Sequence, residues 1–135
     1  MKTLFLDTNI LVDFVLEREG ADDAAQLLQL GEDGKVRIAV SFLTIANLAY
    51  IIRKGRSQEE IYAIITDFQE MFDVLSMDSR QLKKALHSPA ADFEDMLQYQ
   101  CACAHHCDLI ITRNGKHFRF SEIRVATPKE YLASR

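Results

Sequence analysis

The chain has 135 residues, 48% of them hydrophobic, with 16 Lys and Arg against 20 Asp and Glu. That length suits a single domain, 1–135, which buries roughly two-thirds of its unfolded surface without disulfide or metal staples. A net charge of −4 argues against binding nucleic acid by bulk charge alone, but leaves room for a basic rim around an acidic site. Asp7 and Asp13 interrupt the N-terminal apolar stretch and spoil a signal-peptide core. No apolar run reaches the roughly 20 residues that cross a bilayer, so no membrane partner is expected. Cys101, Cys103 and Cys107 crowd one short segment, where close pairs make poor disulfides. A reducing cytoplasm is the simplest setting.

The elements alternate along the chain. Leu4–Leu6 is a short apolar run and predicts a buried strand. Helix follows from Asn9 to about Leu16. A second helix spans Ala21–Leu30, with Asp22 and Asp23 at its positive end and Gly31 as its stop. Val36–Val40 predicts a strand and Phe42–Lys54 an apolar helix ending before Gly55. Ser57 and Glu60 form a capping box for a helix to about Met71. Asp73–Ser76 is a short strand, and Asp78 with Gln81 opens another helix. Pro89 breaks the chain before a helix from Phe93 to about His106. Asp108–Thr112 and Arg124–Ala126 are strands. Thr127, Pro128 and Glu130 supply cap, first-turn proline and box acid for a last helix. Strands separated by helices predict an α/β fold, with a parallel sheet covered by helices on both faces.

Four segments carry candidate chemistry. The first strand ends on Asp7, followed by Thr8 and Asn9. In parallel sheets ligands gather at the carboxyl ends of strands. A carboxylate there either caps the next helix or, compensated by a cation, holds it. In Asp92-Phe-Glu-Asp95 the two aspartates fall one turn apart on a helix face. Such a pair suits a hard cation such as Mg²⁺ or Mn²⁺. Asp92 reads best as the helix cap, and Asp95 as the chemical acid, since Glu94 already serves the helix dipole. In Ser41-Phe-Leu-Thr44-Ile-Ala-Asn47, Asn47 is a poor helix former on an apolar helix. It either satisfies buried backbone groups or faces a site. The last strand-end segment, Thr112-Arg113-Asn114-Gly-Lys116-His117, places positive charge beside a strong turn signal. Cys103 and Cys107 have the spacing to share a zinc ion, but a second ligand pair is not apparent, and small cysteines on an apolar arc are ordinary core residues. His106 shares the side of Asp95 but lies roughly 16 Å along the helix from it.

Taken in order, Leu-Asp7-Thr-Asn-Ile-Leu-Val-Asp13, Ser41-Phe-Leu-Thr44, Asp92-Phe-Glu-Asp95 and Asp108-Leu-Ile-Ile-Thr112-Arg-Asn114 resemble a PIN-domain nuclease, and within that group a VapC-like toxin. The resemblance covers essentially the whole chain. It implies a three-layer α/β/α sandwich with a central parallel sheet, and a cluster of acids that binds Mg²⁺ or Mn²⁺ and cleaves RNA. By position, Asp7 and Asp95 would be the metal carboxylates, with Asp92 available as a third. Asn47 stands where the family usually has Glu, and Asn114 and His117 where a fourth acid lies. Asn47 and Asn114 would then orient water or phosphate, while Arg113 and Lys116 grip the RNA backbone. A cognate antitoxin and a homodimer are the implied protein partners, with the helices from Phe42 and Ile61 as candidate surfaces. The other reading is a degenerate PIN domain that binds nucleic acid or protein with little catalysis. A phosphatase of the haloacid-dehalogenase type would want an acid where Asn9 stands.

Overall fold

The computed structural model describes residues 1–88 and 92–135. Five strands form one parallel sheet: β1 (Thr3–Leu6), β2 (Arg37–Ser41), β3 (Asp73–Leu75), β4 (Leu109–Ile111) and β5 (Arg124–Ala126). Their order is β3-β2-β1-β4-β5. The helices are α1 (Thr8–Val15), α2 (Ala21–Glu32), α3 (Phe42–Ile51), α4 (Gln58–Met71), α5 (Ser79–Leu86), α6 (Phe93–Ala104) and α7 (Pro128–Ser134). The predicted break at Pro89 lies outside the described residues.

The pleat divides the strands between two cores. Leu4, Leu6, Ile38, Val40, Leu109 and Ile111 face one side, where Ile10, Leu27, Leu48, Phe68 and Tyr131 from α1, α2, α3, α4 and α7 cover them. Phe5 and Ile110 face the other side and pack with Ala85 of α5 and Met96, Tyr99, Cys101 and Ala102 of α6. Phe5 pairs with Ala39 on one flank and Ile110 on the other. Both faces are therefore dry, which is why these strands are almost continuously apolar. This is the expected three-layer α/β/α sandwich.

Local signals set most helix starts. Ser57 with Glu60, Asp78 with Gln81 and Thr127 with Glu130 all form reciprocal capping boxes, and Pro128 occupies the first turn of α7. Three helix ends differ from expectation by more than one residue. Gly31 lies inside α2 rather than ending it. A Cβ there would approach Ile38 Cγ1 to 2.7 Å, so the glycine lets the helix lie close on β2. The third helix stops at Ile51, not Lys54, and α6 stops at Ala104, not His106. His106 has a φ of +56°, so it belongs to the turn after α6.

Among the described residues, no helix is long and apolar enough to cross a membrane. Cys101 and Cys107 are buried in the second core, and burial pushes their thiols up to about 12 and about 11. They behave as small apolar side chains.

Candidate active site

The chain runs outward from β1 to β3 on one flank, then returns to β4 and β5 on the other. The switch falls between β1 and β4, and their carboxyl ends open a crevice there. Asp7 directly follows β1 and Thr112 directly follows β4.

Asp7 does two jobs at once. Its Oδ1 accepts from the Thr8 backbone N–H at 2.8 Å at the start of α1. Its Oδ2 accepts from Thr112 Oγ1 at 2.8 Å and from Asn9 Nδ2 at 3.3 Å. Asn9 also accepts from the Arg113 N–H through Oδ1 at 3.2 Å, so it staples the two strand ends together. Burial raises the Asp7 carboxyl above its ordinary value, although the Thr112 and Thr8 bonds pull the other way.

The end of β2 brings in a second wall. Ser41 caps α3 through the Thr44 N–H at 3.1 Å. Its hydroxyl also donates to Gln98 Oε1 of α6 at 2.6 Å, while Gln98 Nε2 donates to Thr44 Oγ1 at 2.8 Å. Gln98 is 1% exposed, and Ser41 and Thr44 are fully buried. A closed polar network of this kind locks two helices in register. One turn away from it lie Asn47, further along α3, and Glu94 and Asp95, earlier on α6.

The result is an open cleft of about 440 Å³, lined by Asp7, Thr8, Asn9, Asn47, Asp92, Glu94, Asp95, Arg18, Arg113 and His117 with the apolar Val12, Tyr50 and Ile51. A larger hollow of about 1220 Å³ adjoins it and shares Arg18 and Arg113. The smaller cleft holds the strand-end carboxylate and is the better candidate on chemistry. Four carboxylates face it. Burial, together with the charges of Asp7 and Asp92, pushes the Asp95 carboxyl up to about 6, and His117 only partly offsets this. Glu94 is raised by desolvation and by the charges of Asp92 and Asp7.

Each expected site residue has a definite place. Asp7 and Asp95 share the cleft. Asp92 caps α6, accepting from the Asp95 N–H at 2.9 Å, and also lines the cleft. Asn47 faces the cleft, and its Nδ2 donates to Glu94 Oε1 at 2.8 Å. Asn114 is absent from the cleft lining. Instead of a simple turn, a 3-10 helix spans Gly115–Phe118 after it. Asn114 lies 3.2 Å from His117 Nε2, and His117 Nδ1 lies 3.5 Å from Asp95 Oδ2. Arg113 pairs with Asp13 at 2.6 Å, and the Asp13 side chain is 5% exposed. Lys116 is exposed on the 3-10 helix, outside the cleft lining.

Sequence reasoning missed Glu94, Gln98 and Arg18. Glu94 looked fully explained by the helix dipole. Gln98 carried a faint signal, being a polar residue between Leu97 and Tyr99 on a helix with a broad apolar arc. Arg18 follows the first helix in a loop and carries no local mark.

Among the described residues, no three His, Cys, Asp or Glu side chains already converge as a metal-ligand set. The carboxylates rest instead on protein donors: Asp7 on Thr8 and Thr112, Glu94 on Asn47, Asp95 beside His117. The donor chemistry still fits a hard divalent ion, because every acidic oxygen in the cleft is a carboxylate. The Thr8 Oγ1 is buried with no hydrogen-bond partner among the described residues, and Thr8 lines the cleft beside Asp7. A buried hydroxyl without a partner beside a crowded acid calls for an explanation, and a polar ligand in the cleft is one.

Comparison with known proteins agrees with this architecture. The chain matches solved toxin–antitoxin structures in fold. One from Klebsiella pneumoniae aligns with a TM-score of 0.70 and 22% identity, over 93% of this chain and 97% of that one. VapBC-1 from nontypeable Haemophilus influenzae aligns with a TM-score of 0.71 and 21% identity, over 94% and 98%. DNA-bound VapBC from Salmonella typhimurium aligns with a TM-score of 0.71 and 20% identity, over 95% and 99%. No curated protein matches the chain by sequence. The family model described as PIN domain matches residues 3–116, most of the chain and every strand-end residue of the cleft. The chain belongs to the PIN-domain family.

Proposed function

We propose that the protein is a metal-dependent ribonuclease and the toxin half of a toxin–antitoxin pair, hydrolysing RNA phosphodiester bonds with Mg²⁺ or Mn²⁺. One observation carries this reading: Asp7 at the end of β1 and Asp95 on α6 face one cleft at the topological switch point. An RNA phosphate is an anion, and four carboxylates repel it. Arg18 and Arg113 are the arginines of the lining, and Arg113 is already paired with Asp13. A cation between acid and phosphate resolves that conflict.

When bound, a divalent ion supplies Lewis acidity to water and to the scissile phosphate. The chain's own residues do the rest. Asp7 and Asp95 would hold the ion, with Asp92, also in the lining, as a further acid. Asn47 would orient water or phosphate while its amide holds Glu94. Asn114 would steady His117, which lies beside Asp95 in the cleft lining. Arg18 and Lys116 draw in the RNA backbone. Arg113 contributes through the strand-end geometry it braces as much as through its charge. The solved structures of similar fold are toxin–antitoxin complexes, which supports a protein antitoxin as partner. Exposed Phe42, Tyr50 and Tyr62 on α3 and α4 provide apolar surface for it or for a second copy.

The test is RNA cleavage with and without Mn²⁺ or Mg²⁺, comparing wild type with an Asp7→Asn/Asp95→Asn double variant. The expected result is metal-dependent cleavage that the double variant loses. Equal cleavage by both, or by neither, would instead favour a degenerate PIN domain that only binds.

A further inference from the structure

Asn47 stands where the resemblance leads one to expect a glutamate, and its neighbour explains why. The Asn47 amide donates to Glu94 Oε1 at 2.8 Å across the gap between α3 and α6. A glutamate at 47 would bring a second carboxylate against Glu94, and in the absence of a cation like charges at that distance repel and disfavour ionisation of one of them. Asn47 and Glu94 are thus a complementary pair, one donor and one acid. Glu94 also adjoins Asp95 in sequence and lines the same cleft as Asp7. A role confined to the helix dipole requires no partner on α3. With one oxygen held by Asn47, the other oxygen of Glu94 is left for a ligand. The Oγ1 of Thr8, a residue of the same lining, is likewise buried without a hydrogen-bond partner among the described residues.

We propose that Glu94 is a third carboxylate for the divalent ion, and that Asn47 is the residue that positions it. The acid of this wall comes from α6 rather than α3, and the Asn47–Glu94 pair carries the charge that a glutamate at 47 would carry. This rests on the metal-dependent reading above. A bound ion would be held by Asp7, Glu94 and Asp95, with Asn47 fixing the Glu94 side chain through its amide. The charge count is then three carboxylates, enough to hold a divalent ion firmly before any phosphate arrives.

The test is Mn²⁺ affinity of the full chain, read as free Mn²⁺ by electron paramagnetic resonance, with metal-free melting curves in parallel. The proteins are wild type, Asp95→Asn, Glu94→Gln, Asn47→Ala and the exchange Asn47→Glu/Glu94→Gln. Glu94→Gln is expected to weaken Mn²⁺ binding roughly tenfold or more with little change in melting temperature. Asn47→Ala should weaken it by roughly threefold to tenfold, through the freed Glu94. The exchange should recover most of the loss. If Glu94→Gln binds Mn²⁺ as wild type does while Asp95→Asn fails to, the inference falls and the metal-dependent reading stands. An exchange variant no better than Glu94→Gln overturns the pairing. Wild type that binds no Mn²⁺ overturns both.

Discussion

Asp95 carries the sharpest electrostatic consequence in the cleft. Burial and the charges of Asp7 and Asp92 push its carboxyl up to about 6 from an ordinary 3.8. Between those values the folded protein keeps a proton that the unfolded chain has released. Its stabilising contribution is therefore full below about pH 4 and lost as pH rises through about 6. Asp7 and Glu94 shift in the same direction, while Glu60, Asp78 and Glu130, held low by their caps, oppose it. The informative quantity is thus the difference between wild type and Asp95→Asn. In metal-free melts, wild type should lose stability relative to the variant as pH climbs from 4 to 6.5. A constant difference would contradict the assignment. Mn²⁺ affinity should rise over the same interval, because the ion competes with the proton.

Arg113 and Lys116, paired in the sequence reading as RNA contacts, should also separate at this scale. Arg113 is bound to buried Asp13, so Arg113→Ala leaves a sheltered carboxylate without its cation. The expected cost is roughly 1–3 kcal/mol, between exposed and buried pairs, seen as a lower melting temperature. Lys116→Ala should leave melting unchanged and weaken RNA binding, more at low salt than at high. A stable Arg113→Ala protein with weakened RNA binding would return Arg113 to a direct role.

At the scale of elements, the site depends on how α6 is tied to α3. Ser41, Thr44 and Gln98 exchange hydrogen bonds in a place closed to water. Gln98→Leu fills the volume but leaves the buried Ser41 and Thr44 hydroxyls only each other, 3.2 Å apart, and the Thr44 N–H, at a cost of about 1–3 kcal/mol for the lost bonds. It should also weaken Mn²⁺ binding, because Asn47 and Glu94 then lose their fixed separation; calorimetry and Mn²⁺ titration check the two effects. Unchanged Mn²⁺ affinity in a destabilised Gln98→Leu protein would separate the network from the site. The helix starts were legible because a cap is a local event: Thr127, Pro128 and Glu130 carry their own instructions. The strands were legible because both faces are dry. The Asn47 contact of Glu94 was not legible because its partner lies on another helix, and no local pattern reports a contact across a groove. Gly31 was misread for the same reason, since Ile38 rather than a turn explains it.

At the scale of the whole molecule, the sheet order does the assembling. Parallel crossovers carry the chain out to β3 and back to β4, so Asp7 and Thr112 meet at 2.8 Å although they come from distant parts of the sequence. α6 lies under the same edge and delivers Glu94 and Asp95. Asp7 and Asp95 could be picked out as acids at a strand end and a helix start, but their meeting is a property of the topology. An ion that binds only the folded cleft should stabilise it by mass action, by about 2.7 kcal/mol at a hundredfold excess over its dissociation constant. Thermal melts with and without Mn²⁺ check this, and Asp7→Asn/Asp95→Asn should abolish the gain.

The most direct test of the account is anomalous diffraction from crystals of the full chain grown with Mn²⁺. An anomalous peak bound by both Asp7 and Asp95 is expected, with Thr112 and His117 no longer the nearest partners of the coordinating oxygens. Crystals that take up Mn²⁺ elsewhere, with no peak between these two carboxylates, would contradict it.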